Sequence, residues 1–335
     1  MNGNVIYYYN SLKKLHLPVS YLPEMNACEL VLGGKHYFFS WSETPFNHST
    51  AASISQNKYQ TNLLLRRAGI PVPKAVLIHI DAYKTQKVEE LLGSLSFPLV
   101  VKPVDSGLGI DVVCNIKNLE LLEAQLANHF SRYNEILLEE FHGQLNSYRV
   151  LIFNKKIIGV LHCYPPQVEG DGVHSVQELI DLTNNQRKNN AHYLSDITIT
   201  PESHIRLSEQ GIRLDDIPKI NEIVFLGYVS NAGGVYRAIS PKVCNKNKKL
   251  LIRAARVTGL HFVGIDVECV DLNIPIESSG GVIIETNHNP GIVYHELPCF
   301  GTPNPVSFVL AKSFIFRQPF AYLIVLFKKI RLKYF

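Results

Sequence analysis

Glu285 and Asn287 stand two residues apart in GVIIETNHNPG, Gly281–Gly291, at the end of an apolar run, so in a strand both oxygen-bearing side chains leave the same face. Asp266 lies in a second such run, HFVGIDVEC. The three are hard oxygen donors of the kind that hold Mg2+ (or Mn2+) against the phosphates of a nucleotide such as ATP. A strand-end carboxylate alone is more often solvated or bonded to a turn, so the cations and glycines elsewhere decide between the two readings. Lys102 follows the apolar strand FPLVV, from which an ammonium can point at a phosphate. Gly107 and Gly109 in the turn DSGLGID, Asp105–Asp111, leave backbone N–H groups open to phosphate oxygens. Lys58 sits where a helix over Gln56–Ala68 begins and, on local sequence, reads as a solvated lysine. Glu139 and Glu140 precede Phe141; adjacent carboxylates on a strand face opposite sides, so one can accept from an adenine amine or a ribose hydroxyl while the other meets solvent. Neither GxxxxGKS/T nor GxGxxG occurs, which excludes a P-loop and a Rossmann fingerprint.

The elements that must position these residues interleave strands and helices without internal repeats. Residues up to about Thr50 hold strand-like runs, VIYYY near the start and Lys35–Trp41, around a Gly33-Gly34 turn, and read as a short irregular N-terminal lobe over 1–54. Leu63, Leu64, Leu65 and Ala68 follow helical spacing, and Gly69, Pro71 and Pro73 end that helix. Strands are expected at Ala75–Ile80, Phe97–Lys102, Val112–Cys114 and Ile136–Phe141, with a helix over Ile116–Phe130. Tyr148–Phe153 and Ile157–His162 form a hairpin turning at Asn154-Lys155-Lys156. Ser175 and Glu178 form a capping box that opens a helix Val176–Asn184. The polar stretch Asn184–Ser203 reads as an ordered excursion, and Lys248–Thr258 as a helix closed by Gly259.

A chain of 335 residues, 46% hydrophobic and 19% charged, has room for two or three lobes with ordinary globular cores. The formal charge of +4 is too weak to suggest nucleic acid, and no such partner is expected. Cys28, Cys114, Cys163, Cys244, Cys269 and Cys299 are far apart without metal-type spacing, so reduced thiols in a cytosol are the simplest account. The start MNGNVIYYYNSLKK lacks a secretory pattern, and a cytoplasmic location is expected. At the other end Phe320–Phe327 precedes Lys328, Lys329, Arg331 and Lys333 in a basic amphipathic tail, 317–335. It is too short to span a bilayer. A helix packed on the body is expected, with contact to an anionic membrane the lesser alternative; a homo-oligomer is left open.

The order of these elements resembles the ATP-grasp ligases, in particular the ATP-grasp domains of cyanophycin synthetase and of the bifunctional glutathione synthetases. The matching stretches are SQNKYQTNLLLRRAGIPVP (Ser55–Pro73), FPLVVKPVDSGLGI, ILLEEFHG, SYRVLIFNKKIIGV, VEGDGVHSVQELID, LSEQGIRLDDIP, GLHFVGIDVEC and VIIETNHNPGIVYHELP. They run in order from about residue 50 to about residue 310. The resemblance implies an α+β fold, two α+β lobes gripping ATP, with the ATP-grasp domain over 55–316 and a lid subdomain at about 75–141. It implies that Lys58 and Lys102 contact ATP phosphates, that Ser106, Gly107 and Gly109 sit in the flexible lid, and that Glu139 and Glu140 lie at the adenine and ribose hinge. Asp266, Glu285 and Asn287 would hold Mg2+, Arg149 in SYRV is retained, and His174 falls in the GDGxH segment the family also carries. The implied reaction is that of a carboxylate–amine ligase of the EC 6.3 type. A carboxylate attacks the ATP γ-phosphate, and an amine captures the acyl phosphate as an amide, the partners being ATP and small amino-acid or peptide substrates.

Two departures fall on the acceptor half. Relatives commonly carry arginine near Cys163, where this chain reads GVLHCYPP, and arginine and asparagine near Leu226, where it reads FLGYVSNAGG. Arg237, just beyond Gly233-Gly234, could supply the lost guanidinium from a neighbouring site. The leading expectation is an active ligase, with Arg149 and Arg237 as its catalytic arginines. The competing one is an ATP-binding pseudoenzyme or regulatory module with a degenerate acceptor site. A third is a shifted substrate, its pocket shaped by Tyr164, Pro165, Arg237 and the excursion Asn184–Ser203. His162 and Cys163 read as a buried, inert pair, and no sequence cue marks Cys163 as a nucleophile.

Overall fold

The computed structural model describes residues 3–107, 109–189, 194–230 and 233–334. It opens with helix α1 (Gly3–Lys14) and an antiparallel meander of β1 (Val19–Leu22), β2 (Ala27–Leu32) and β3 (Lys35–Ser40). The run VIYYY, expected as a strand, lies inside α1. Val5, Tyr8 and Leu12 recur at helical spacing and are buried, and that packing outweighs the strand preference of three consecutive tyrosines. The first lobe is therefore a regular helix-on-sheet unit. Next come α2 (Ser49–Gln56), which was not expected, and α3 (Lys58–Arg67), the helix expected over Gln56–Ala68; Asn57 separates them, its side chain accepting from the Gln60 N–H to cap α3.

The following segment carries β4 (Ala75–His79), α4 (Ile80–Thr85), α5 (Val88–Leu91), β5 (Leu99–Pro103), β6 (Val113–Ile116), α6 (Leu119–Phe130) and β7 (Glu135–Glu140). Its four strands form one antiparallel sheet in the order β4-β7-β5-β6. Leu122 and Leu126 of α6 close a core with Ile78, Leu99, Val101, Ile136 and Leu138, so this segment has an interior of its own.

The largest sheet collects β8 (Asn146–Phe153), β9 (Lys156–Tyr164), β12 (Val235–Ile239), β13 (Phe262–Cys269) and β14 (Val282–Asn287) in the order β12-β9-β8-β13-β14, all antiparallel. Between β9 and β12 the chain makes a smaller unit of β10 (Gln167–Glu169), α7 (Val176–Asn189), α8 (Pro201–Glu209) and β11 (Ile223–Phe225). Asn154 and Lys155 take positive φ of 46° and 65° in the β8–β9 turn, as a two-residue hairpin requires. The Ser175–Glu178 capping box is present in both directions, but α7 runs five residues past its expected end at Asn184. Asn184 instead exchanges hydrogen bonds with the Ile197 backbone at 2.9 and 2.8 Å, pinning the far side of the excursion, whose residues 190–193 lie outside the described residues.

Helix α9 (Asn245–Val257) lays Leu250, Leu251, Ala254 and Ala255 on one face of the large sheet, against Val150, Val160, Ile265 and Val267. A single turn α10 (Val293–Glu296) leads into α11 (Val306–Arg317) and α12 (Pro319–Tyr334). Phe314 of α11 shares a second core with Tyr8, Phe39, Phe46, Phe153 and Phe262, so the first lobe is buried against the end of the chain. Where β9 passes beneath α10 and α11 there is room only for hydrogen: a Cβ on Gly159 would lie 2.7 Å from His295 Nδ1 and 3.3 Å from Val306 Cγ2. Gly159→Ala is expected to destabilise the fold by about 1–3 kcal/mol through overpacking, read as a lower urea midpoint with an unchanged m-value.

Candidate active site

Pairing of β8, β13 and β14 sets Arg149 opposite Asp266 and Asp266 opposite Glu285, three charged residues in one row across the sheet. Arg149 grips Asp266 with both prongs, Nε to Oδ1 at 2.7 Å and Nη2 to Oδ2 at 2.8 Å. Asn287 Nδ2 donates to the same Oδ2 at 3.0 Å. The Asp266 charge holds the Arg149 guanidinium protonated well above its ordinary range.

Lys58 reaches this row from the first turn of α3. Only 8% exposed, it lies 3.9 Å from Glu285 Oε1 and donates to the Ser106 carbonyl, so the local expectation of a solvated lysine fails. Desolvation pulls its ammonium below the usual lysine range, and desolvation pushes the Glu285 carboxyl up, the two charges each countering part of the other's shift. Lys102 and Glu139, 5% and 3% exposed, face one another across β5 and β7 at 2.5 Å. Glu140 turns the other way to Lys74 at 3.0 Å, as alternation requires. Gly109 holds a φ of +71° in the β5–β6 loop, and a Cβ on Gly107 would meet open space.

These residues fit a polyphosphate. Two buried ammonium groups approach carboxylates and a carbonyl, while Ser106 Oγ and Glu139 Oε1 are buried without a hydrogen-bond partner among the described residues. Asp266, Glu285 and Asn287 also fit a hard divalent cation, but in a shared way. Among the described residues no three His, Cys, Asp or Glu side chains form a closed metal cage, and Arg149 and Asn287 already bond Asp266. Nucleotide oxygens would complete such a shell, the pattern typical of Mg2+.

Arg237 is not brought into this group. In the register of β12 on β9 it pairs with His162, whereas Tyr236 pairs with Cys163 and Ala238 with Leu161, the residue opposite Arg149. Alternation therefore puts Arg237 on the far face of the sheet, where it is exposed and its guanidinium lies 5.4 Å from the centre of the Phe300 ring. The side chains on the Arg149 face are Cys163 and Tyr236, the latter stacked on Tyr294 with ring centres 4.2 Å apart. Burial pushes the Cys163 thiol up to about 12, which suits an inert packing residue. His162, expected as its buried partner, is half-buried and stacks on Tyr148. His174 stays exposed, paired with Asp171 at 2.6 Å.

Three features escape a reading of motifs. Glu268 shares the Asp266 face, sits opposite Ser147 and takes a hydrogen bond from it; desolvation pushes its carboxyl up to about 8. Buried Arg187 of α7 donates to the Gly233 carbonyl at 2.8 Å and to the Ser195 carbonyl, tying the excursion to the glycine turn. Glu209 of α8 fastens the four-stranded sheet to the smaller unit, accepting from Asn115 at 2.8 Å, Lys117 at 2.6 Å and the Tyr228 hydroxyl at 2.5 Å. The available signal for Lys58 was its place with Thr61, Asn62 and Leu65 on the buried stripe of α3. Tyr236 had no such signal, because its face follows from the registers of β12 on β9 and of β9 on β8.

Residues 55–171 match the RimK-like ATP-grasp domain. Cyanophycin synthetase of Synechocystis sp. is 31% identical over 261 residues, 76% of this chain and 29% of that protein. The glutathione biosynthesis bifunctional protein GshAB of Listeria innocua is 30% identical over 269 residues, 78% of this chain and 34% of that one. The chain thus spans only about a third of the length of the curated relatives it matches. A bifunctional glutathione synthetase from Pasteurella multocida aligns with a TM-score of 0.61 at 23% identity, over 92% of this chain and 44% of that structure. D-alanine–D-alanine ligase from Bacillus anthracis aligns at 0.50 and 15% identity, over 84% and 72%. The fold is that of the ATP-grasp ligases.

Because the folded chain holds the Glu268 proton more tightly than the unfolded chain, stability contributed by that proton falls as pH rises from about 4.5 to about 8. Glu268→Gln is expected to flatten this slope in a pH series of denaturant melts.

Proposed function

We propose that this chain, which carries a RimK-like ATP-grasp domain over residues 55–171, is an ATP- and Mg2+-dependent carboxylate–amine ligase that joins small amino-acid or peptide substrates through an acyl phosphate. The observation that carries the reading is the gathering of buried Lys58 and Lys102, each close enough to act on the Glu285 charge, beside the row Arg149–Asp266–Glu285. Transfer of a phosphoryl group asks for charge neutralisation and in-line placement, and fixed cations serve both.

Lys58 and Lys102 bind the phosphates; Ser106, Gly107 and Gly109 cover them; and Glu139, with an unpaired buried oxygen, accepts from the adenine or ribose edge. Asp266, Glu285 and Asn287 would hold the cation, which supplies further neutralisation of phosphate charge when bound. The substrate carboxylate attacks the γ-phosphorus and ADP leaves. The amine then attacks the acyl carbon, the C–O bond to phosphate breaks, and the amide forms with loss of the amine proton. Arg149, its Nε and Nη2 fixed by Asp266, keeps its remaining N–H groups to orient the acyl oxygens. Tyr236, Tyr294 and Cys163 make the neighbouring wall apolar and aromatic, which favours an acceptor other than a second free carboxylate at that point. The names of the relatives, cyanophycin synthetase and a glutathione biosynthesis protein, support the same reaction class.

Paired carboxylates and amines screened for ADP release should contain at least one active pair, and hydroxylamine in place of the amine should give a hydroxamate. Glu285→Gln should lower turnover at least about 100-fold, since metal-borne charge stabilisation is worth several kcal/mol. ATP binding without ADP release from any pair, with Glu285→Gln silent in binding and in cells, would sink the reading. Arg237→Ala should leave turnover within about twofold, as for an exposed side chain away from the site.

A further inference from the structure

Helix α12 is fastened to the body by one face only. Ala321, Tyr322 and Val325 pack against the core shared by the first lobe and α11. The Tyr322 hydroxyl donates to the Leu15 carbonyl at 3.0 Å, Gln318 Nε2 to the Tyr37 hydroxyl at 2.5 Å, and Lys329 Nζ meets His16 Nδ1 at 2.8 Å. The opposite face is apolar and uncovered: Phe320 is 81% exposed and Phe327 69%, with Leu323, Ile324 and Ile330 exposed beside them. Steps of three and four residues align these five side chains in one stripe along the helix. Phe316, exposed near the end of α11, extends the apolar patch.

The charge on α11 and α12 has one sign. From Val306 to Tyr334 the sequence contains no Asp or Glu, but it contains Lys312, Lys328, Arg331 and Lys333, together with Arg317 and Lys329, which turn to the Phe46 ring and to His16. Lys13 and Lys14, exposed at the end of α1, add to it, Lys14 lying 5.7 Å from the centre of the Phe308 ring on α11. No single helix among the described residues is long and apolar enough to cross a membrane; α11 and α12 are so only as a pair bent by 99°, and α11 is buried in the core of the body. An apolar stripe on a tethered helix, flanked by cations alone, matches a surface whose outer layer is anionic and whose next layer is hydrocarbon. A second copy is a poorer occupant: stripe against stripe would bring the cations of two such helices together with no acid on either helix to pair with them.

We infer that α12 docks this protein in the plane of a membrane containing anionic lipid, its phenylalanines at the headgroup boundary and its basic residues against lipid phosphates. The full chain is tested by flotation with vesicles of phosphatidylcholine alone and of phosphatidylcholine with about one-third phosphatidylglycerol. Binding is expected to the mixed vesicles, at least about tenfold weaker to the neutral ones, and to fall as salt is raised. The double variant Phe320→Glu and Phe327→Glu should lose at least about tenfold in binding with an unchanged unfolding midpoint. If that variant misfolds, the lipid-charge and salt series on the unmodified chain still decides. Failure to bind the mixed vesicles overturns the inference, as does binding indifferent to salt and lipid charge, or binding that survives the double variant in a folded chain. A dimer that the double variant dissolves, in a chain that ignores vesicles, gives the face to a second copy instead.

Discussion

A one-residue slip between β8 and β13 would send Arg149 and Asp266 to opposite faces of the sheet and break their two-pronged pair. What prevents the slip is the other face. Val150, Val160, Ile265 and Val267 are buried there beneath α9, and each apolar side chain turned out to water would cost about 1.5–3 kcal/mol. Several such residues outweigh the ion pair many times over. The register of the charged row is therefore imposed by hydrophobic packing on the opposite side of the sheet. The Arg149–Asp266 pair reads that register out rather than creating it.

The same asymmetry governs the buried lysines. An ammonium taken from water without a partner is costly, and the fold meets this by placing Glu139 against Lys102 and Glu285 near Lys58. With acids already present the cleft is not an open reservoir of positive charge. On the proposed function, a polyanion entering it would exchange partners with these carboxylates, and Glu285, released from Lys58, would be free to meet a divalent cation.

Much of this was legible from local chemistry. Apolar runs marked β13 and β14, the Asn154-Lys155 turn marked the hairpin, and Ser175 with Glu178 marked the start of α7. What local chemistry could not supply was burial made by distant chain. Lys58 is buried because the Ser106 backbone and Glu285 close over it, neither of which its own helix reveals. Arg237 was assigned by its nearness to a glycine turn, but its face depends on how β12 pairs with β9, a matter of parity that one residue inverts. VIYYY failed for a related reason: three tyrosines favour a strand until a sheet and a helix from elsewhere bury every third or fourth position. Tyr236 and Tyr294 come from elements far apart in sequence and become a stacked wall only in three dimensions.

The union of the first lobe with α11 has a consequence for the order of events on the ribosome. Asn4 accepts from the backbone N–H groups of Ile292 and Val293, and the Ser11 and Ser307 hydroxyls, 296 positions apart in the chain, lie 2.8 Å from one another. At roughly 5–20 residues per second, α1 waits on the order of fifteen to sixty seconds after its synthesis for α11, the helix that buries it. During that interval Tyr8, Phe39 and Phe46 have no finished core to enter, while the four-stranded sheet with its own interior can already close. The first lobe is thus protected later than the four-stranded sheet that follows it in the chain, and its apolar faces stay open to a chaperone for longer.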